Sequence, residues 1–249
     1  MSKIQGVVPD RGFVGARAAR MMQKRKNLEQ RMDKEIQAKS GLLKNIETID
    51  PLTIQVVPDH HPVFVHADQV TASFDGQALF EPVSFEVRPG ERVALVGPNG
   101  IGKSSLLEAL VDQFPGEVSG TLTHPDLSFS WVRQQNHATG TLKAFAELHQ
   151  LDYQALLNNL KKLGLDRCSF TTPIESLSMG QQKKVALAAS LVTPANLYIW
   201  DEPLNYLDLF NQNQLADSIL AAKPTILFVE HDEAFINRVA TKVITLKRA

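Results

Sequence analysis

The sequence predicts an α/β protein: a mainly parallel sheet with helices, an antiparallel β layer beside it, and a long basic helical arm in front. Three observations carry this. Beyond about residue 127, short apolar runs alternate with helix-patterned stretches, the rhythm of strand–helix–strand units that build parallel sheets. Between residues 63 and 96 the runs are short, β-rich and closely spaced, which suits an antiparallel layer. Finally, residues 1–48 hold 11 Lys/Arg against 5 Asp/Glu, whereas the rest of the 249 residues hold 15 against 22, so a net charge of −1 hides a basic arm before an acidic domain.

The arm opens on Asp10-Arg11-Gly12-Phe13-Val14-Gly15, where two glycines favour a turn. From Ala16 to Ile46 there is no proline, and only Gly41 interrupts the helix formers. Leu28, Met32, Ile36, Leu43 and Ile46 recur at near-helical spacing and give it one apolar face. A helix of about 30 residues would reach roughly 45 Å, which suits a projection rather than a packed helix. Arg11, Arg17, Arg20, Lys24, Arg25 and Lys26 gather positive charge toward its start, as a segment meeting a polyanion would. A solvated helix with ordinary surface lysines is the plain alternative. Residues 1–50 are thus the expected arm, and 51–62, with Pro51, Pro58 and Pro62, the expected connector. The folded domain is expected over 63–249. Its strands are predicted at 63–74, 79–87, 92–96, 127–132, 197–200 and 225–229, and its helices at 105–110, 142–163, 179–191 and 211–222.

Composition narrows the class. A hydrophobic share of 43% suits a sizeable globular core. No apolar run approaches the ~20 residues that span a bilayer, and no secretory segment opens the chain. Cys168 is the sole cysteine, so an intrachain disulfide is excluded; a cytoplasmic location is expected.

Between the expected strand at 92–96 and the expected helix, Gly97-Pro98-Asn99-Gly100-Ile101-Gly102-Lys103-Ser104 fits the phosphate-binding pattern G-x-x-x-x-G-K-[ST]. Glycines let successive main-chain N–H groups curl inward, and the following helix adds its positive end. Lys103 can reach the β- and γ-phosphates, and the Ser104 hydroxyl can ligate Mg²⁺. Residues 97–104 together with Ser105 are therefore candidates for binding a nucleoside triphosphate. A glycine turn that binds nothing is the alternative. About 100 residues later, Leu197-Tyr198-Ile199-Trp200-Asp201-Glu202-Pro203 delivers two carboxylates at the end of an apolar strand. In open α/β sheets ligands sit at that edge. Asp201 would hold Mg²⁺, and Glu202 would polarise the water attacking the γ-phosphate.

Leu177-Ser178-Met179-Gly180-Gln181-Gln182 precedes a helix, with Ser178 placed as its N-cap. Here the chain resembles the ATP-binding cassette (ABC) superfamily, whose Leu-Ser-Gly-Gly-Gln signature opens a helix in this way; Met179 replaces the first of its two glycines. The resemblance implies a P-loop NTPase cassette with a helical subdomain, acting on ATP with Mg²⁺. It implies that Ser178, Gly180 and Gln181 face the nucleotide of an opposing cassette. It makes Gln134 the glutamine-loop residue near Mg²⁺ and water, with Gln135 the fallback, and places residues 204–208 at the D-loop. His231 matches the switch histidine at the γ-phosphate. Phe74 fits the aromatic that stacks on adenine, a core phenylalanine being the competing reading.

A narrower resemblance is to the family F cassette proteins, particularly their ribosome-protecting antibiotic-resistance branch. It rests on Asp10-Arg11-Gly12-Phe13, Ala18-Ala19-Arg20-Met21-Met22 and residues 39–47 in the arm, and on residues 178–181 and 200–208. Leu204-Asn205-Tyr206 stands where other members usually have Thr-Asn-His. The family joins two cassettes through a helical hairpin, without membrane domains, and this chain resembles the hairpin tip, its second helix and the second cassette. It implies ribosomal RNA, and peptidyl-site tRNA, as partners of the arm. It also implies a second cassette, in trans or by homodimerisation, to complete ATP sites of which this chain holds separate halves. Two other functions compete: an ATPase subunit of a membrane transporter, and a truncated nucleotide-binding module without turnover.

Overall fold

The structure, a computed structural model, describes residues 51–135 and 138–249; the expected arm, with Arg11, Arg17, Arg20, Lys24, Arg25 and Lys26, lies outside the described residues. Strands in chain order are Val65–Phe74 (β1), Gln77–Ala78 (β2), Val83–Val87 (β3), Arg92–Val96 (β4), Glu117–Thr123 (β5), Phe129–Val132 (β6), Leu197–Asp201 (β7), Thr225–Val229 (β8) and Lys242–Thr245 (β9). Along β1, buried Val65, Ala67, Val70 and Ala72 mark the face turned to the core. The register slips between Ala67 and Val70, a bulge that keeps both halves facing inward. β1 pairs antiparallel with β2, β3 and β5. The strand expected over 79–87 is shortened to β3, since Pro82 has no N–H to give a ladder.

The second sheet has the order β6-β7-β8-β4-β9, and every pairing in it is parallel. β7 and β8 are buried at each residue because both their faces are covered. Leu197 and Ile199 pack with β1 and β3 side chains, whereas Tyr198 and Trp200 pack with the helices. The parallel sheet thus separates two cores.

The helices are Lys103–Leu110 (α1), Leu142–Leu148 (α2), Tyr153–Lys162 (α3), Met179–Val192 (α4), Leu209–Ala222 (α5) and Glu233–Val239 (α6). One helix was expected over 142–163; two are present. Asp152 ends the continuity by accepting hydrogen bonds from Gln154 and Ala155 N–H, the geometry of a fresh N-cap. α5 likewise starts two residues before its expected position because Asp208 caps it through Asn211 N–H. Among the described residues no helix is long and apolar enough to cross a membrane.

Residues 51–57, read from sequence as connector, are fastened to the domain, and the compact unit runs from Pro51 to Ala249. Leu52 is buried, and its N–H donates to Ser218 Oγ. Asn159, fully buried, offers its side-chain amide to Thr53 as a strand edge would, accepting from Thr53 N and donating to Thr53 O. Val56 then forms a parallel bridge with Ala195 just before β7. This strap ties α3, α5 and the start of β7 together.

Candidate nucleotide-binding site

Four neighbouring parallel strands end on one edge, and each hands a different functional segment to it. β4 leads into residues 97–104, β6 into Gln134, β7 into Glu202 and β8 into His231. That edge is where α/β sheets bind ligands, because the helix N-termini and loops open there. A cavity of about 470 Å³ lies at it, lined by Phe74, Asn99, Gly102, Ser105, Gln134 and Glu202 among others.

The phosphate-loop backbone depends on glycine at two places. Gly102 has φ +101° immediately before α1, and a Cβ there would lie 3.0 Å from Leu79. At Gly97, with φ +153°, a Cβ would come within 2.9 Å of the Leu246 carbonyl oxygen. Both positions let the chain curl tightly against its neighbours, the backbone form in which the N–H groups of a phosphate-binding loop can converge. Lys103, the first residue of α1, spans the curl: its Nζ donates to Gly97 O at 2.9 Å and Pro98 O at 3.1 Å. Burial pushes the Lys103 ammonium pKa down, against the pull of Glu202 and Asp201.

Asp201 closes β7 and is only 4% exposed. The Ser104 hydroxyl acts on its carboxylate, while Asp201 Oδ1 has no hydrogen-bond partner among the described residues. A buried carboxylate oxygen left unpaired beside a serine hydroxyl is a hard-oxygen donor pair suited to Mg²⁺, so the residues present fit that ion. Burial raises the Asp201 pKa; the Ser104 bond opposes this, Glu202 adds to it, and Lys183 and Lys103 oppose it. A carboxyl favoured as neutral in the fold loses stability as pH rises from the ordinary carboxylate range through its raised value. Above that value the full cost is present. Asp201→Asn is therefore expected to raise the melting temperature of ligand-free protein at pH 7, by a few degrees for about 1 kcal/mol. The gain should shrink in melts run at progressively lower pH, while the Mg²⁺-dependent part of nucleotide stabilisation is lost.

Glu202 follows in the left-handed region, φ 49°, with its N–H tied to Val229 O at 3.0 Å. Such a conformation costs energy in a non-glycine residue and turns the side chain toward the cavity. Three groups surround its carboxylate. Gln134 Nε2 donates to Oε2 at 3.1 Å, Asn205 Nδ2 donates to the same oxygen, and His231 Nε2 lies 3.6 Å from Oε1. Gln134 rather than Gln135 makes this contact; Gln135 instead lines cavities beside Trp131 and Arg133. Phe74 is 43% exposed, edge-on to Phe114 at 4.8 Å, and forms the cavity wall rather than part of the core.

Ser178, Gly180 and Gln181 are not brought to this cavity. Ser178 and Gln181 form a reciprocal capping box at the start of α4, with Ser178 N donating to Gln181 Oε1 at 3.0 Å. Met179, exposed, stands beside Gly180, which packs close to Tyr206 O. Exposed Tyr206, Leu209 and Phe210 are also apolar.

The sequence placed Asn205 only within the D-loop segment and passed over Lys183 and Glu230. Asn205 grips Glu202. Lys183, 3% exposed, donates from Nζ to Arg133 O and Asp201 O, binding α4 to the ends of β6 and β7. Glu230 is buried at the end of β8. The signal for Glu230 was a charge directly after a mainly apolar strand, and Lys183 stands in the polar stretch 181–184 just before the apolar run of α4.

Among relatives, YdiF of Bacillus subtilis (strain 168) is 36% identical over 190 residues, 73% of this chain and 29% of that protein. The ribosome protection protein VmlR of the same organism is 28% identical over 232 residues, 89% of this chain and 41% of that protein. The zinc import ATP-binding protein ZnuC of Pseudomonas fluorescens is 28% identical over 193 residues, 74% of each. The chain thus spans less than half the length of the first two. A solved RNase-L inhibitor superposes with a TM-score of 0.64 at 26% identity, over 77% of this chain and 38% of that one. The ABC transporter family model matches residues 80–205, from Phe80 beside the phosphate loop to the Asn205 that holds Glu202, and the chain belongs to that family of ATP-binding domains.

Proposed function

We propose that this chain is the ATP-binding and hydrolysing half of a family F ribosome-associated factor of the antibiotic-protecting kind. ATP-binding domains of its family are ATPases in general. One observation carries the finer reading. The match to VmlR covers 89% of the chain, more than the share held by 51–249, so it reaches into the basic arm. The ZnuC match covers 74%, no more than the folded domain would supply. A transporter subunit, the competing function, leaves the arm without a counterpart.

In this reading the loop at 97–104 and Ser105 receive the triphosphate through main-chain N–H groups, and Lys103 exchanges its two carbonyl acceptors for phosphate oxygens. Phe74 offers a face to the adenine. Ser104 and Asp201 would hold Mg²⁺, with Gln134 nearby, and when bound it would supply neutralisation of phosphate charge. Glu202 accepts the proton of the attacking water, and Gln134, Asn205 and His231 fix which of its oxygens is free. Ser178, Gly180 and Gln181 serve the nucleotide of a second cassette, whose own signature completes the site of this one. The exposed Met179, Tyr206, Leu209 and Phe210 form part of the surface it covers.

The arm decides between the two functions. Reversing Arg17, Arg20, Lys24 and Arg25 to glutamate is expected to cut ATP-stimulated co-sedimentation with ribosomes about tenfold, since phosphate contacts dominate such binding. The unaltered chain should show a steep salt dependence. Undiminished co-sedimentation after the four reversals would sink the ribosomal reading.

A further inference from the structure

β8 runs Thr225-Ile226-Leu227-Phe228-Val229, buried throughout, and the next residue is Glu230, a carboxylate only 5% exposed. Burying that charge is costly unless donors surround it. Here the donors are main-chain N–H groups from two separate loops. Oε1 accepts from Leu204 N at 2.8 Å, and Oε2 accepts from His231 N at 3.0 Å, with Asp232 N–H a further donor. Burial still raises its pKa, these three bonds opposing and Glu202 adding to the rise; Lys183 is the nearby cation.

The two loops fastened by Glu230 are the ones that hold Glu202. Leu204 begins the turn that places Asn205 Nδ2 on Glu202 Oε2. His231 carries the imidazole 3.6 Å from Glu202 Oε1. One loop thus touches each oxygen of the carboxylate, and Glu230 sets the spacing between them.

We infer that Glu230 is a positioning residue for ATP hydrolysis: by accepting from both loops at once, it fixes Asn205 against His231 and so aims the Glu202 carboxylate. This rests on the reading of Glu202 as the group that takes the water proton. A plain structural cap would stabilise the same loops without affecting the chemistry.

Glu230→Gln separates the two. The amide keeps the shape but sets an NH₂ against a main-chain N–H, releasing one loop. With the full chain, the Kd for a fluorescent ATP analogue is expected to stay within about twofold, because the phosphate loop follows another strand. Single-turnover hydrolysis should fall tenfold or more, with a shifted acid limb in the pH–rate profile. Combined with Glu202→Gln, the substitution should add no further loss, since residues acting through one another are not additive. Glu230→Asp keeps charge and burial but withdraws the oxygens by one methylene; it should show the same split, about three- to tenfold in rate, and serves if the glutamine variant fails to fold. Unchanged turnover in the folded variant, or equal fractional losses with and without Glu202, would overturn the positioning role while leaving the function intact. Full turnover in Glu202→Gln alone would instead overturn the reading of Glu202, and no turnover by the unaltered chain, even with a second cassette supplied in trans, would overturn both.

Discussion

Glu202→Gln is expected to lower ATP turnover by about 10²- to 10⁴-fold, the range a positioned general base contributes. The substitution changes one oxygen to an NH₂ and removes the negative charge, so the side chain can no longer take a proton from water. Its effect on binding should be small, because Glu202 sits at the end of β7 whereas the phosphate loop follows β4. Orientation sharpens the expectation. Gln134 and Asn205 both donate to Oε2, which leaves Oε1, on the His231 side, as the oxygen open to water. A glutamine will turn its carbonyl oxygen toward those two donors and its NH₂ toward His231, putting a donor where the base is needed. Nucleotide should therefore accumulate uncleaved, and trapping of radiolabelled ATP by the variant, compared with its release as ADP by the unaltered chain, measures this. Rapid turnover in the variant would remove Glu202 from the chemistry.

The charge around that carboxylate explains why the site needs so many fixed donors. Glu202 lies close enough to act on both Asp201 and Glu230, and Lys183 is a buried cation common to all three. Its two hydrogen bonds go to main-chain oxygens rather than to a carboxylate. The cluster therefore stays electrically attractive to a divalent ion, and the unpaired Asp201 Oδ1 is where that attraction has an open oxygen. A salt bridge directly to Asp201 would have relieved the repulsion and closed the position.

How much of this could be read in the sequence follows from how local each interaction is. The phosphate loop was legible because eight contiguous residues carry its whole chemistry, and Asp201-Glu202 because an apolar strand announces where they emerge. Ser178 was legible as a cap, its partner Gln181 being three residues away. Gln134 and His231 were reached only through family resemblance, since one residue after a strand has no local signature. The strap at 51–57 was not legible: Leu52 and Thr53 bond Ser218 and Asn159, 166 and 106 residues away. Glu230 was missed for the same reason, its Leu204 contact lying 26 residues back. Helix patterning across 142–163 was sound in type, but Asp152 competes for the backbone and divides it.

Lys103→Met is expected to raise the Kd for Mg²⁺-ATP by about 10²-fold. Methionine preserves the length and the apolar contacts of the buried stem, so the loss isolates the ammonium group. In the structure that group has two carbonyl acceptors within the loop, Gly97 O and Pro98 O. Binding therefore exchanges two good hydrogen bonds for others to a more strongly charged acceptor, and only the difference counts. A hydrogen bond to a charged group contributes about 1.5–3 kcal/mol net, and about 2.7 kcal/mol corresponds to 10² in Kd. The loss should depend on which phosphates are present. Lysine at this position reaches the β- and γ-phosphates, so ATP and ADP should both weaken, while AMP, which has neither, should change less than about threefold. Lys103→Arg is not expected to rescue binding, because a planar fork cannot occupy the space of a compact ammonium spanning a tight curl. Titrations of the three nucleotides against both variants read this directly; equal losses for AMP and ATP would mean that the substitution had collapsed the loop rather than removed a phosphate contact.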